Sequence, residues 1–120
     1  MSQSYEELSV ERKALQEKGW LPDWYTTTAW QMFKSKYAYG GEEAAKGRWR
    51  TIAHTLAKHA PGDAGEWEEK FFKLMWNGWL SPASPVLSNT GTDRGLNVSC
   101  SGGVVPDSID GFYTALREQA

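Results

Sequence analysis

"EEAAKGRWRTIAHTLAKHAPGDAGEWEEKFFKLMWNGWL", residues 42–80, decides the fold. Two apolar stripes run through it at helical spacing, on either side of Pro61-Gly62. In the first, Ala45, Trp49, Ile52, Ala53 and Leu56 fall on one face of a helix, because side chains three and four apart lie above one another. Glu42 and Glu43 open this helix with acids, where the helix dipole favours negative charge. It runs to about His59. In the second, Trp67, Phe71 and Met75 lie four apart, with Phe72 and Trp76 beside them. A stripe that wide predicts burial on most sides.

The same period extends upstream. Ser4 and Glu7 match a capping box, and Tyr5, Leu8 and Leu15 share a face of a first helix that ends at Gly19. Pro22 and Asp23 open "DWYTTTAWQMFKSKYAY" (23–39). There Trp30, Phe33 and Tyr37 make a second helical stripe, stopped by Gly40-Gly41. Residues 1–80 are therefore expected to form a mainly α, N-terminal helical domain.

At Ser81 the character changes. "SPASPVLSNTGTDRG" (81–95) holds two prolines and two glycines and no helical period. It predicts a loop with a short extended piece at Pro85-Val86-Leu87. "LNVSCSGGVV" (96–105) alternates in part and predicts one strand, broken at Gly102-Gly103. Pro106-Asp107-Ser108 then starts a helix whose apolar stripe is Ile109, Phe112, Tyr113 and Leu116. A single strand has no partner within the chain, and its backbone groups need a ladder. Either a second copy supplies that ladder, or residues 81–120 begin something larger.

The bulk numbers bound the function. The chain has 120 residues, 40% apolar and 23% charged, which is one globular domain's worth. A net charge of −2 argues against an obligate nucleic-acid or membrane-surface binder. One cysteine makes no internal disulfide, and the polar N-terminus has no apolar leader core, so a cytoplasmic location is expected. No run approaches the roughly 20 apolar residues that span a bilayer. Seven tryptophans is a high count. At helical spacing they read as an aromatic core or a surface for another domain. The sharper alternative is base stacking on single-stranded nucleic acid, for which only "KGRWR" (46–50) offers basic residues.

Cys100, between Ser99 and Ser101, is the sole thiol. By its chemistry it is a nucleophile, a redox thiol or a buried small residue. A metal site is not expected, because no second cysteine exists and His54 and His59 are distant in sequence and five apart, off one helical face. The surrounding hydroxyls of Ser81, Ser84, Ser88, Thr90, Thr92, Ser99 and Ser101, with Gly91 and Gly95, suit phosphate or sugar groups. They equally suit a plain solvated loop.

"NGWLSPASPVLSNTGTDRGLNVSCSGGVVPDSIDGFY" (77–113) closely resembles the first active-site segment of the ribonucleotide reductase large (catalytic) subunit. The order is the same: a helix ending in "NGWLSP", a "SPVLSNTGT" loop, a "VSC" strand, and "DSI" opening a helix. The upstream "LPDWYTTTAWQMFKSKYAYGGE" (21–42) looks like the helical region that precedes the barrel in these enzymes. The resemblance implies that 96–105 is the first strand, and the helix after it the first helix, of a ten-stranded α/β barrel. It implies that Cys100 is one of two redox thiols, that it helps the ribose 2′-hydroxyl leave as water, and that it then forms a disulfide with a later cysteine. That partner must come from a facing strand, since bridged Cα atoms lie about 4.4–6.8 Å apart. Ser99 would line the substrate pocket and Ser84 would contact the substrate phosphate. The implied substrate is a ribonucleoside di- or triphosphate, and the reductant is of the thioredoxin or glutaredoxin type.

The rest of the family's machinery has no counterpart here. The radical-carrying cysteine, catalytic glutamate and asparagine, second redox cysteine and C-terminal reducing cysteines all lie downstream in the family. An ATP-sensing domain has no counterpart before Ser4. The chain is therefore expected to hold no cofactor itself. It would depend on the remaining catalytic subunit and on a radical source: a metal–tyrosyl small subunit, adenosylcobalamin or a glycyl radical. Alone it is expected to be inactive. The competing expectation is a non-catalytic interaction module derived from the reductase, with Cys100 inert; such a module has no need of hydroxyls around a thiol.

Overall fold

The computed structural model describes residues 3–120. The described residues form six helices: α1 Tyr5–Glu17, α2 Thr27–Lys36, α3 Ala44–Ala57, α4 Ala64–Trp76, α5 Ser84–Asn89 and α6 Ile109–Gln119. Most begin where a side chain caps them. Ser4 and Glu7 form the capping box of α1, with Ser4 Oγ accepting from the Glu7 amide at 3.2 Å and Glu7 Oε2 accepting from the Ser4 amide at 2.8 Å. Thr26 caps α2, Asp63 caps α4 and Ser108 caps α6. After α1, Gly19 turns the chain in the left-handed region (φ 69°), which lets the Trp20 amide reach back to the Leu15 carbonyl at 2.9 Å.

Two helix starts differ from the sequence expectation. The second helix begins at Thr27 and not at Asp23, because Thr26 is the capping residue and 22–25 makes a turn, Tyr25 N–H to Pro22 O at 3.0 Å. The third begins at Ala44, with no side-chain cap from Glu43. Glu42 instead turns inward to pair with a buried arginine, an interaction worth more to it than the helix dipole.

The core is one cluster: Leu8, Leu21, Trp30, Phe33, Ala45, Trp49, Ile52, Ala53, Phe72 and Met75. The extensive contact is between α3 and α4, with α1 against α2. The four expected stripes converge on it with three corrections. Tyr5 is exposed at the start of α1, where Leu8 alone is buried. Leu56 is exposed, displaced from the stripe by Ala57. In α4 only Phe72 and Met75 are buried; Leu74 and the following Trp79 face solvent, so that helix is covered on one side and not on most. Tyr25 packs edge-on to Trp49, ring centroids 5.9 Å apart at 84°. Burial pushes its phenol up to about 12, with the neighbouring Tyr37 adding to the effect. The folded state therefore holds this proton above the ordinary phenol range, so Tyr25 contributes stability below pH 10 that is lost as pH rises towards 12. Thermal melts should fall across that window and Tyr25→Phe should flatten the fall; an equal alkaline slope in both proteins would contradict this origin.

The larger corrections lie beyond Ser81. Pro85-Val86-Leu87, expected to be extended, lies in α5. Proline is tolerated in a helix's first turn, where its missing N–H has no intrahelical acceptor. Residues 96–105 form no strand; no β-strand occurs among the described residues. The physical reason is the one visible in the sequence: no second segment supplies a ladder. The stretch runs irregularly outward to α6, whose Ile109, Tyr113 and Leu116 stay exposed. The radius of gyration is accordingly 18.9 Å, against about 14 Å for a compact chain of this length.

Candidate functional site

The site is built where α5 and the loop behind it lie against α2 and α3. Arg48 belongs to the buried stripe of α3, between Ala45 and Trp49 on one side and Ile52 on the other, and is fully buried. Its Nε donates to the Leu87 carbonyl at 2.7 Å, Nη2 donates to the Thr90 carbonyl, and Nη1 pairs with Glu42 Oε1 at 2.9 Å. The C-terminal end of α5 is thereby fastened to the helical body. Thr90, itself buried, donates from Oγ1 to Asn97 Oδ1 at 3.0 Å, and Asn89 Nδ2 donates to the Leu96 carbonyl at 2.7 Å. These two bonds return the chain beside α5 after the 91–95 turn. On the outer side Arg94 donates to the Ser88 carbonyl at 2.6 Å and stacks over Tyr39, whose hydroxyl donates to Asp93 at 2.9 Å.

The turn depends on Gly91. Its φ is 72°, and a Cβ there would lie 2.6 Å from Thr55 Oγ1 and 2.7 Å from Thr51 Cγ2 on α3. Gly91→Ala therefore combines backbone strain with overpacking, and a loss of about 2–4 kcal/mol is expected in urea denaturation. A loss under about 0.5 kcal/mol, the range of an ordinary surface change, would contradict the close approach.

Between α2, α5 and the returning 96–99 segment lies an open cleft of about 640 Å³. Ser84 and Ser99, fifteen positions apart, both line it, together with Lys36, Tyr37, Ser88 and Asn89. The Tyr37 and Ser84 hydroxyls are bonded at 2.9 Å, which fixes the serine from the α2 side. Cys100 follows Ser99 but does not line the cleft; its thiol is exposed and free. The structure thus brings together two of the three expected site residues and leaves the third outside the cleft lining. Several hydroxyls expected around a ligand are spent internally: Thr90 on Asn97, Thr92 on the Asn89 carbonyl at 2.7 Å.

Sequence reasoning missed Lys36, Tyr37 and Arg48. For Arg48 a signal existed: it is the one charged residue within an apolar helical stripe, and a charge there must find partners. Tyr37 had been assigned only to the core, where it is half-buried. The "KGRWR" stretch makes no basic groove for nucleic acid. Arg48 and Trp49 are buried, and Arg50 pairs with Glu69 at 2.5 Å and with Glu68 at 3.7 Å. His54 is bonded to Glu68 on the exposed α3–α4 face, His59 is exposed beyond α3, and no group of three His, Cys, Asp or Glu side chains among the described residues could hold a metal. No helix among the described residues is long and apolar enough to cross a membrane.

Comparison with known proteins converges on one family. Residues 23–95 match the family described as ribonucleotide reductase, all-alpha domain. Two relatives, each named vitamin B12-dependent ribonucleoside-diphosphate reductase, come from Mycobacterium tuberculosis strains CDC 1551 / Oshkosh and ATCC 25618 / H37Rv. Each is 34% identical over 71 residues, which is 59% of this chain and 10% of the relative. The chain therefore spans about a tenth of the length of these relatives. No solved structure matches it. The family match holds α2 to α5 with Lys36, Tyr37, Arg48 and Ser84, while Ser99 and Cys100 lie just past its end.

Proposed function

The chain belongs to the ribonucleotide reductase large-subunit family, and from that premise we propose that it supplies the N-terminal helical portion and one wall of the nucleotide site of a ribonucleotide reductase. The observation that carries this reading is the shared cleft: Ser84 and Ser99, separated in sequence, line one open space together with Lys36. Hydroxyl donors and one cation are what a nucleotide phosphate and ribose require.

Within that reading Ser84, held by Tyr37, donates to a phosphate oxygen, and Ser99 borders the ribose. Cys100 is one of two thiols that together give up two electrons and two protons. The 2′-hydroxyl leaves as water, hydrogen replaces it on carbon, and the two sulfurs end as a disulfide. The second thiol comes from the rest of the catalytic subunit, and a thioredoxin- or glutaredoxin-type dithiol restores the pair. Segment 96–105 would find its missing ladder there, as the first strand of the barrel, and α6 would cover it. The exposed Leu96, Val98, Val104 and Ile109 would then be buried. The relatives' name favours adenosylcobalamin as radical source over a metal–tyrosyl small subunit.

The test is reconstitution. The chain would be combined with the remainder of a catalytic subunit, a radical source and a dithiol reductant, and deoxynucleotide formation measured. Product from the assembly and none from this chain alone is expected. An assembly that forms but makes no product would favour the non-catalytic interaction module.

A further inference from the structure

We propose that Arg48, with Glu42 as its counter-charge, is the positioning residue that holds Ser84 and Ser99 on one cleft. Arg48 does not line the cleft and touches neither serine. It acts one step behind them. A single buried guanidinium receives two backbone carbonyls, Leu87 in the last turn of α5 and Thr90 just past it. Thr90 then holds Asn97, and Asn89, between the two fastened residues, holds the Leu96 carbonyl. Ser99 follows two residues after Asn97, and Ser84 opens the helix that Arg48 fastens. Apart from this fastening, the side-chain hydrogen bonds from 84–99 to the helical body are exposed ones: Ser84 with Tyr37, Ser88 to the Lys36 carbonyl, and Asp93 from Tyr39.

The chemistry requires this side chain. The guanidinium is a planar fork with donors at fixed angles, so one group serves two carbonyls and a carboxylate at once. An ammonium has no such fork. The carboxylate of Glu42, almost fully buried, neutralises the charge that would otherwise make Arg48 too costly to bury. The signature is a charged residue that sits in the hydrophobic stripe of α3 yet spends its donors on a loop.

The proposal rests on the nucleotide reading only for what the cleft binds. Its first test needs no nucleotide: amide hydrogen exchange on the full chain, compared with Arg48→Met and Arg48→Lys. In Arg48→Met the amides of 86–99 should exchange at least about tenfold faster, with α1 amides changed less than about threefold, because the opening is local. Arg48→Lys should lie between, and it decides the matter by the same criterion if Arg48→Met does not fold. No acceleration across 86–99, or equal acceleration in α1 to α4, overturns the proposal. In the assembled reductase Arg48→Lys should raise the nucleotide KM by about tenfold with kcat within about threefold, the mark of lost substrate binding. A fall in kcat with KM unchanged would also overturn it. If the wild-type assembly has no turnover, the substrate reading fails while the exchange experiment still decides whether Arg48 positions the cleft.

Discussion

Cys100→Ser should abolish deoxynucleotide formation by the assembled reductase while leaving this chain's fold untouched. The two halves of that expectation have separate physical causes. The thiol is exposed and makes no hydrogen bond, so exchanging sulfur for oxygen removes no packing; surface changes of this kind stay within about 0.5 kcal/mol. The hydroxyl, however, gives up neither a hydrogen atom nor an electron at an accessible potential, and it forms no disulfide. In the proposed reaction, reduction of the 2′-carbon then lacks one of its two electron donors. Loss should be complete, and it should not be rescued by raising the external dithiol, because that reductant acts on the disulfide after the chemistry. Far-UV circular dichroism and thermal melts of wild type and variant should superimpose. Turnover retained in Cys100→Ser would remove the thiol from the mechanism.

The second large effect is on stability. Trp49 is the centre of the aromatic core, 5% exposed, stacked on Trp24 at 6.0 Å and 20°, and edge-on to Tyr25 and to Trp76 at 6.2 Å. Trp49→Ala removes all three contacts and leaves a cavity between α3 and α4. A loss of about 3–5 kcal/mol is expected, a large share of the about 5–15 kcal/mol that stabilises a typical domain. Trp49→Phe should cost far less, about 1–2 kcal/mol, because an aromatic ring is kept and the buried indole N–H, which has no partner, is removed. Urea unfolding followed by circular dichroism measures both. Equal losses for alanine and phenylalanine would show that the indole N–H matters more than the ring, contrary to this packing.

The helices were legible in the sequence because their signals are local. The Ser4–Glu7 box, the stripe of Trp30 and Phe33, and the stripe of Ala45, Trp49, Ile52 and Ala53 all stand as expected. α5 was not legible. At six residues it is too short for a period to show, and Pro85 reads as a breaker when it in fact occupies the first turn. The strand expected at 96–105 does not form in this chain for a different reason: its pattern specifies one face of a sheet, and a sheet is not a local property. In the site, Ser84 and Ser99 were named from resemblance, but their meeting in one cleft depends on Arg48, Asn89 and Asn97. The Arg48 bonds are long-range and those of Asn89 and Asn97 close an irregular turn, and neither kind leaves a spacing rule behind. Tyr5 and Leu56 carried the right period and still face solvent, since amphipathic pattern sets a direction and the available neighbours set how far burial extends.

The most direct test of the proposal that Cys100, outside the cleft in this chain, faces a nucleotide beside Ser84 and Ser99 once assembled is the rate of Cys100 alkylation. It would be followed by mass spectrometry in the free chain and in the reductase assembly, with and without ribonucleoside diphosphate. The free chain should react quickly, as an exposed thiol does. The assembly should react more slowly, and added nucleotide should slow it further. Identical rates in the free chain, the assembly and the nucleotide-bound assembly would contradict the claim and leave Cys100 outside any substrate pocket.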